Sequence, residues 1–500
     1  MSLNAKEILN NFEKGIIDYE SMKNSLVFLL ERSKKEIDRL ETIQIINKLN
    51  INSDKIYQVL ENSLISDSSE KVRALCAKTL KKLFLEKSLK PLKWALMNEK
   101  TLACTIAILS ILGEIETEES KQILLDNINT IDGKQYKYNL KEIIEDGLYQ
   151  NFNTKQLAEI LINYYIISSL KLKLGYLKFE ENEKGEIVKL DLSGIDTQGL
   201  RSNKVSKSLQ QILSLSLLKH LDISNNDLLQ LEIRFPKENY LEIIDLSYNR
   251  LYSLPNSIGS LKKLKKLILK SNKLKSLPNS LKKLESLEIL ILRDNLLRAL
   301  PSSIGVLKRL KILDLYHNKL SSLPKNFEKL ESLLYLDLGW NRFHKIPHFI
   351  GKCKKIEKLS LGRNNISRVP DWIRELECLK VFNIYDNHLQ HFPSIFGEID
   401  SLEELNLRNN QLKMLPENLI HLKNLKVLNL SWNQIENLPA WIGCLDSLEE
   451  LNLWRNNLSE IPETIKNLRN LKSLYLNFNN FSKPPDILRE LKENGVHIKV

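Results

Sequence analysis

Leu264–Ser286 reads LKKLILKSNKLKSLPNSLKKLES, a 23-residue unit with the frame L-x-x-L-x-L-x-x-N-x-L-x-x-L-P-x-x-I-x-x-L-x-x. The same unit recurs in tandem on both sides of it. Its asparagine returns every 23 residues, as Asn226, Asn249, Asn272, Asn295, Asn318, Asn341, Asn364, Asn387, Asn410, Asn433, Asn456 and Asn479. A fixed period of this length implies units that cannot bury an apolar face alone and that stack into a solenoid.

Within each unit x-L-x-L-x predicts a strand with its leucines inward and its x residues outward. Parallel strands spaced about 4.8 Å apart would give about thirteen repeats a concave sheet roughly 60 Å along its arc. Asparagine suits the turn after the strand because its amide both donates and accepts. One side chain can then satisfy backbone groups of its own loop and of a neighbouring repeat. The Leu-Pro pair, from Leu254-Pro255 to Ile461-Pro462, predicts a second side built of short extended or 3₁₀ pieces. Cys353 replaces a leucine of the next apolar column and reads as a small buried hydrophobe.

This frame resembles the intracellular leucine-rich repeats of the Ras-associated type, shared by Scribble-like scaffolds and the plant Ras-group proteins, over residues 186–500. The resemblance implies an α/β solenoid that scaffolds protein partners, often around small GTPases or phosphatases. It carries over no single GTPase-contacting residue.

Residues 1–175 read as helical throughout, with Pro91 their only proline. In SEKVRALCAKTLKKLF, Val72, Cys76, Thr79, Leu80 and Leu83 form one helical stripe. Asp67, Val72, Arg73, Leu80 and Leu83 recur 32 residues later as Glu99, Cys104, Thr105, Leu112 and Ile115. The D-x-x-x-x-V-R pattern and the ending Leu112-Gly113-Glu114-Ile115 resemble HEAT repeats over about residues 54–130, which implies stacked helix pairs. A generic helical bundle is the alternative. A hairpin, with strands at 176–180 and 186–192 about a turn at 181–185, is expected to cover the first repeat. That repeat carries Ile195 in place of asparagine and a helix near 203–215. At the other end Asp486 reads as the N-cap of a helix over 487–494, Gly495 as its stop, and 496–500 as an edge strand. Four segments are therefore expected: helical 1–175, hairpin and first strand 176–192, repeats 186–485 and a cap 486–500. The chain reads as capped at both ends and complete.

Five cysteines without a C-x-x-C or pairing pattern suggest a reducing cytosol. The N-terminus lacks the form of a signal peptide, and no apolar run is long enough to span a membrane. A cytoplasmic monomer is expected. Residues 251–350 carry 19 Lys and Arg against 7 Asp and Glu, an excess equal to the whole formal charge of +12. Much of it lies between Lys262 and Lys283, including Lys263, Lys265, Lys266 and Lys270. This stretch reads either as solvated repeat flanks or as a dock for an acidic partner or anionic membrane. Nucleic acid fits it poorly, because 262–283 contains no aromatic to stack bases.

No phosphate loop, G-x-S-x-G or H-E-x-x-H occurs, and the first histidine is His220. No catalytic residue, metal site or cofactor is therefore expected. The acids Asp314 and Asp337 read as an ordinary consensus position. Exposed aromatics and arginines on the outward columns are the composition of interface anchors. The expected partner-binding residues are Tyr316, Tyr335, Trp340, Arg363, Tyr385, Arg408, Trp432, Trp454, Arg455, Tyr475 and Phe478. A regulatory subunit of an enzyme such as a phosphatase is the alternative role, and mutual stacking of the rings the alternative to binding.

Overall fold

The computed structural model describes residues 4–130, 151–175, 177–182, 186–195, 204–213, 215, 217–231 and 233–500. The chain divides into two compact units, residues 1–189 with 214–217 and residues 190–213 with 218–500.

The first unit is helical. Its described helices are α1 (Ala5–Glu13), α2 (Tyr19–Arg32), α3 (Glu36–Lys48), α4 (Asp54–Ser66), α5 (Glu70–Leu83), α6 (Leu85–Asn98), α7 (Leu102–Gly113), α8 (Glu118–Thr130) and α9 (Thr154–Leu174). Capping fixes several starts: Asn4 and Glu7 form a capping box, as do Asn153 and Gln156. Even helices pack on even ones (α2 on α4, α4 on α6, α6 on α8) and odd on odd (α3 on α5, α5 on α7). Two layers of stacked helix pairs result, with Cys76, Leu80, Cys104, Ile108 and Leu112 fully buried in the core. Gly113 is required where α9 crosses, since a Cβ there would stand 2.6 Å from that of Ala158.

A charged ladder stitches successive pairs. Arg39 forks onto Asp67 at 2.7 and 2.9 Å and donates to the Ser33 carbonyl at 2.9 Å. Arg73 forks onto Glu99 at 2.8 and 2.7 Å and donates to the Asp67 carbonyl at 2.7 Å. Thr105 stands where the next arginine would be, and the ladder ends there. Burial alone would raise the Glu99 carboxyl. The bonds from Arg73, Cys104 and Thr101 outweigh it and hold the group at about 2.

Strands β1 (Lys178–Glu181) and β2 (Ile187–Asp191) neighbour each other, joined where Asn182 N–H donates to the Glu186 carbonyl at 3.0 Å. Tyr176 and turn residues 183–185 lie outside the described residues. A helix, α10, spans Lys204–Ile212.

The second unit is a parallel-strand solenoid of leucine-rich repeats. Twelve three-residue strands, from β3 (His220–Asp222) to β14 (Ser473–Tyr475), pair in sequence order with a register of 23 residues. β15 (His497–Lys499) adds to β14 in parallel. In most of these strands the central residue is buried and its neighbours are partly open. A five-residue 3₁₀ turn follows each proline from Pro255 to Pro462. The final helix, α11 (Ile487–Glu493), starts at Asp486, but Asp486 is itself αR and its side chain makes no cap bond. The expected N-cap bond is therefore absent: a cap accepts from the first-turn N–H groups out of an extended backbone. Gly495 sits at φ +87° beyond the helix end.

Eleven of the twelve asparagines are buried, Asn479 partly so. Asn318 is representative. Its Nδ2 donates to Leu292 O of the preceding repeat at 3.0 Å and to Leu315 O of its own at 3.1 Å. Its Oδ1 accepts the N–H of Leu297, again of the preceding repeat, at 3.0 Å. The residue before each asparagine, from Asn225 to Phe478, is left-handed, with φ between +49° and +58°.

A second column, seven places before each asparagine, alternates in charge: Lys219, Glu242, Lys265, Glu288, Lys311, Leu334, Glu357, Lys380, Glu403, Lys426, Glu449, Lys472. Five lysines in it reach the glutamate one repeat earlier at 2.5–2.9 Å. These pairs are exposed, so solvent and salt screen them.

Candidate functional site

The open face of the sheet carries the side chains six, four and two places before each asparagine. The left-handed residue adds one more at the rim. The acids and amides of the middle column fold back on their own strand. Asp314 Oδ1 accepts the Tyr316 N–H at 3.0 Å, Asp337 Oδ1 that of Gly339 at 2.8 Å, and Asn452 Oδ1 that of Trp454 at 3.1 Å. A short side chain that accepts two residues on is what asparagine and aspartate supply best. Burial first, and for Asp314 also the neighbouring Asp337, raises both carboxyls above the usual range.

All eleven aromatics and arginines expected to bind lie on this face, and ten of them fall into two groups. The first is centred on Trp340, which is 43% exposed. His317 lies 4.3 Å from its ring, Tyr316 meets it edge-on at 6.0 Å, and the Arg363 guanidinium sits 4.6 Å from its centre. Each arginine here meets an acid, Arg363 with Asp386 at 3.0 Å and Arg293 with Asp314 at 3.7 Å, and the His317 Nδ1 lies 2.8 Å from Asp294.

Tyr316 and Tyr385 occupy the same column, separated by Gly339 and Gly362. A Cβ on Gly362 would fall 2.1 Å from the Tyr385 ring, and one on Gly339 3.0 Å from that of Tyr316. The two glycines let both rings lie across the sheet. Burial, and then a hydrogen bond with Tyr316, push the Tyr385 hydroxyl up to about 12. Tyr335 lies on the far column, six places before its asparagine, its hydroxyl 3.3 Å from Asp337. Sequence reading missed the glycines. Their signal was two glycines one period apart between two tyrosines.

The second group is Arg408, Trp432, Trp454, Arg455 and Phe478. Trp432 meets Trp454 edge-on at 5.5 Å, and Trp454 meets Phe478 at 6.1 Å. Arg455 stands 4.0 Å from the Trp432 ring centre, 5.6 Å from that of Trp454 and 5.1 Å from that of Phe478. Phe478 is 68% exposed, but Trp432 and Trp454 are half-buried. Reading them as standing in solvent is thus corrected: one strand spacing brings their rings together, and Arg455 covers them. Tyr475 lies on β14, next to the last strand, 6.3 Å from His497.

The basic stretch is partly consumed within the repeats. Lys262 pairs with Glu285 at 2.9 Å, Lys265 with Glu242 at 2.7 Å, Lys263 sits 3.6 Å over the Tyr240 ring and Lys270 4.9 Å over that of Tyr248. Lys266 is half-buried on its strand. Cys353 is buried, which pushes its thiol up to about 12. Among the described residues no helix is long and apolar enough to cross a membrane.

Three family profiles match the second unit: a leucine-rich repeat region over residues 289–382, a leucine-rich repeat over 239–297, and leucine-rich repeats in two copies over 400–443 and 446–490. No curated protein matches the sequence. Among solved structures, a leucine-rich-repeat protein of Leptospira interrogans is 29% identical, with 67% of this chain and 98% of that one covered and a TM-score of 0.49. The Arabidopsis receptor kinase HAESA, solved with the peptide hormone IDA and a co-receptor, is 24% identical, with 68% and 65% covered and a TM-score of 0.53. The internalin InlF of Listeria monocytogenes is 21% identical, with 67% and 88% covered and a TM-score of 0.49.

Proposed function

We propose that this chain is a non-catalytic scaffold or adaptor that holds a protein partner on the open face of its sheet, between Tyr316 and Phe478. The observation that supports this most is the content of that face. Leucines fill the inward positions, so the tryptophans, tyrosines and arginines displayed outward are not needed to close the core. Leucine-rich repeats are commonly protein-interaction modules, which favours the same reading. A small GTPase or a phosphatase in the cytoplasm is the partner class implied by the resemblance to the Ras-associated repeats. The lysine stretch is the weaker candidate, since Lys262 and Lys265 are already matched by glutamates of adjoining repeats.

Site-specific photocrosslinking tests the proposal. A photoreactive residue at Trp340 or Phe478 should trap one protein in the native cell, and one at Ser303, on the 3₁₀ side, should not. Trapping from Ser303 or from the helical unit alone would move the binding site elsewhere.

A further inference from the structure

The two groups on the open face differ in one respect that bears on the partner's chemistry. In the first, each arginine has an acid. In the second, Arg408 and Arg455 stand over rings and neither has an ion pair among the described residues. Arg455 is held by ring faces, and stacking of a guanidinium leaves its in-plane N–H edge open. This end of the face therefore presents two guanidinium groups that no carboxylate of the described residues pairs.

Four residues before Arg408 and five before Arg455 the sign reverses. Glu404 and Glu450 lie in one register row, with Val427 between them, and neither has an ion pair among the described residues. The row between the two charges is neutral: Asn406, Asn429 and Asn452. Four residues of strand span about 13 Å. The surface is thus a fixed dipole along the strand direction.

We propose, resting on the reading of this face as a protein-binding surface, that it takes an extended segment of a partner protein bearing charges of opposite sign about 13 Å apart. A carboxylate of that segment bonds Arg408 and Arg455, and a lysine or arginine faces Glu404 and Glu450. An apolar side chain beside the carboxylate covers Trp454 and Phe478. A nucleic acid fits worse, because a continuous phosphate backbone crossing the arginines would also run over the two glutamates.

A displayed library of random 12-residue peptides, selected on the whole chain, supplies the probe. Selected peptides should pair Asp or Glu beside an apolar residue with Lys or Arg about four places away. The Arg408→Glu/Arg455→Glu variant should weaken them by about tenfold or more, and peptides with both charges reversed should recover that loss. Arg408→Gln/Arg455→Gln, with its melting curve, guards against misfolding and should weaken the same peptides in the same direction. Peptides without an acid, peptides indifferent to both arginine variants, no selectable peptide, or tighter binding of a poly-uridine RNA than of any peptide would each overturn the inference. Peptides lost with Trp340→Ala but kept by both arginine variants would overturn it and leave the proposed function standing.

Discussion

Both units stack their repeats by a polar ladder, but the helical unit uses ions and the strand unit uses amides. The ionic ladder has two described rungs, Arg39 on Asp67 and Arg73 on Glu99, and stops at Thr105. The amide ladder has twelve asparagines in unbroken period. An arginine only donates and a carboxylate only accepts, so each ionic rung needs two residue types placed by two helix pairs. An asparagine does both, so one residue per repeat suffices and the ladder extends as far as the repeat is copied. Buried ions also carry a far larger desolvation cost than neutral amides do.

The largest expected effect tests the ionic side. Arg73→Ala removes the charged partner of the Glu99 carboxylate, whose side chain is 4% exposed, and leaves it only neutral donors, among them Thr101 and the Lys100 N–H, which should destabilise the helical unit by about 3–5 kcal/mol. Hydrogen exchange across residues 54–113 would read it. A loss no greater than that of an exposed pair would erase the contrast. The same rung has a pH signature. The Glu99 carboxyl is held at about 2, below its ordinary value of 4.5, so its contribution is complete above about pH 4.5 and is lost as pH falls toward 2. Acid titration of the helical unit should show this, and Glu99→Gln should remove that component.

On the amide side, Asn318→Ala should cost about 1–3 kcal/mol in a denaturant melt of the strand unit. Asn318→Asp should cost more, because it turns a donor to two carbonyls into a carboxylate that faces them. An aspartate tolerated as well as alanine would mean that donation is not what the ladder needs. The smallest effect belongs to the alternating column. Lys311→Ala should change stability by less than about 1 kcal/mol, fading further in high salt.

Most of the fold was legible because its determinants are periodic. One asparagine, one proline and the leucine columns repeat at 23, and periodicity survives any substitution between them. The helical unit was legible through the residues of its ladder, Asp67 and Arg73, and through Gly113. What escaped depended on relations between repeats rather than on the frame of one repeat. The alternation of lysine and glutamate has a period of two repeats, interrupted at Leu334, and is hidden from a single-unit frame. The roles of Gly339 and Gly362 depend on the rings of Tyr316 and Tyr385, two residues outside either repeat. Half-burial of Trp432 and Trp454 came from their packing against each other, which a column-by-column reading treats as independent.

The left-handed residue before each asparagine sets how this surface can change. A side chain there carries a backbone cost of about 1–2 kcal/mol that glycine avoids. The cost attaches to the Cβ, so tryptophan, arginine, histidine and phenylalanine bear nearly the same penalty. Exchanging one for another at this rim therefore leaves the backbone term unchanged and alters only what is displayed. Erasing a residue is different. At Trp340, alanine removes the ring and keeps the strain, whereas glycine removes both. The difference between the two variants in stability measures the backbone alone, and what they share in binding measures the ring. Asparagine and aspartate, present at Asn225, Asp294, Asp386 and Asn409, enter this region more cheaply, so among the other residues the rim is a row of letters whose penalty is fixed before the letter is chosen.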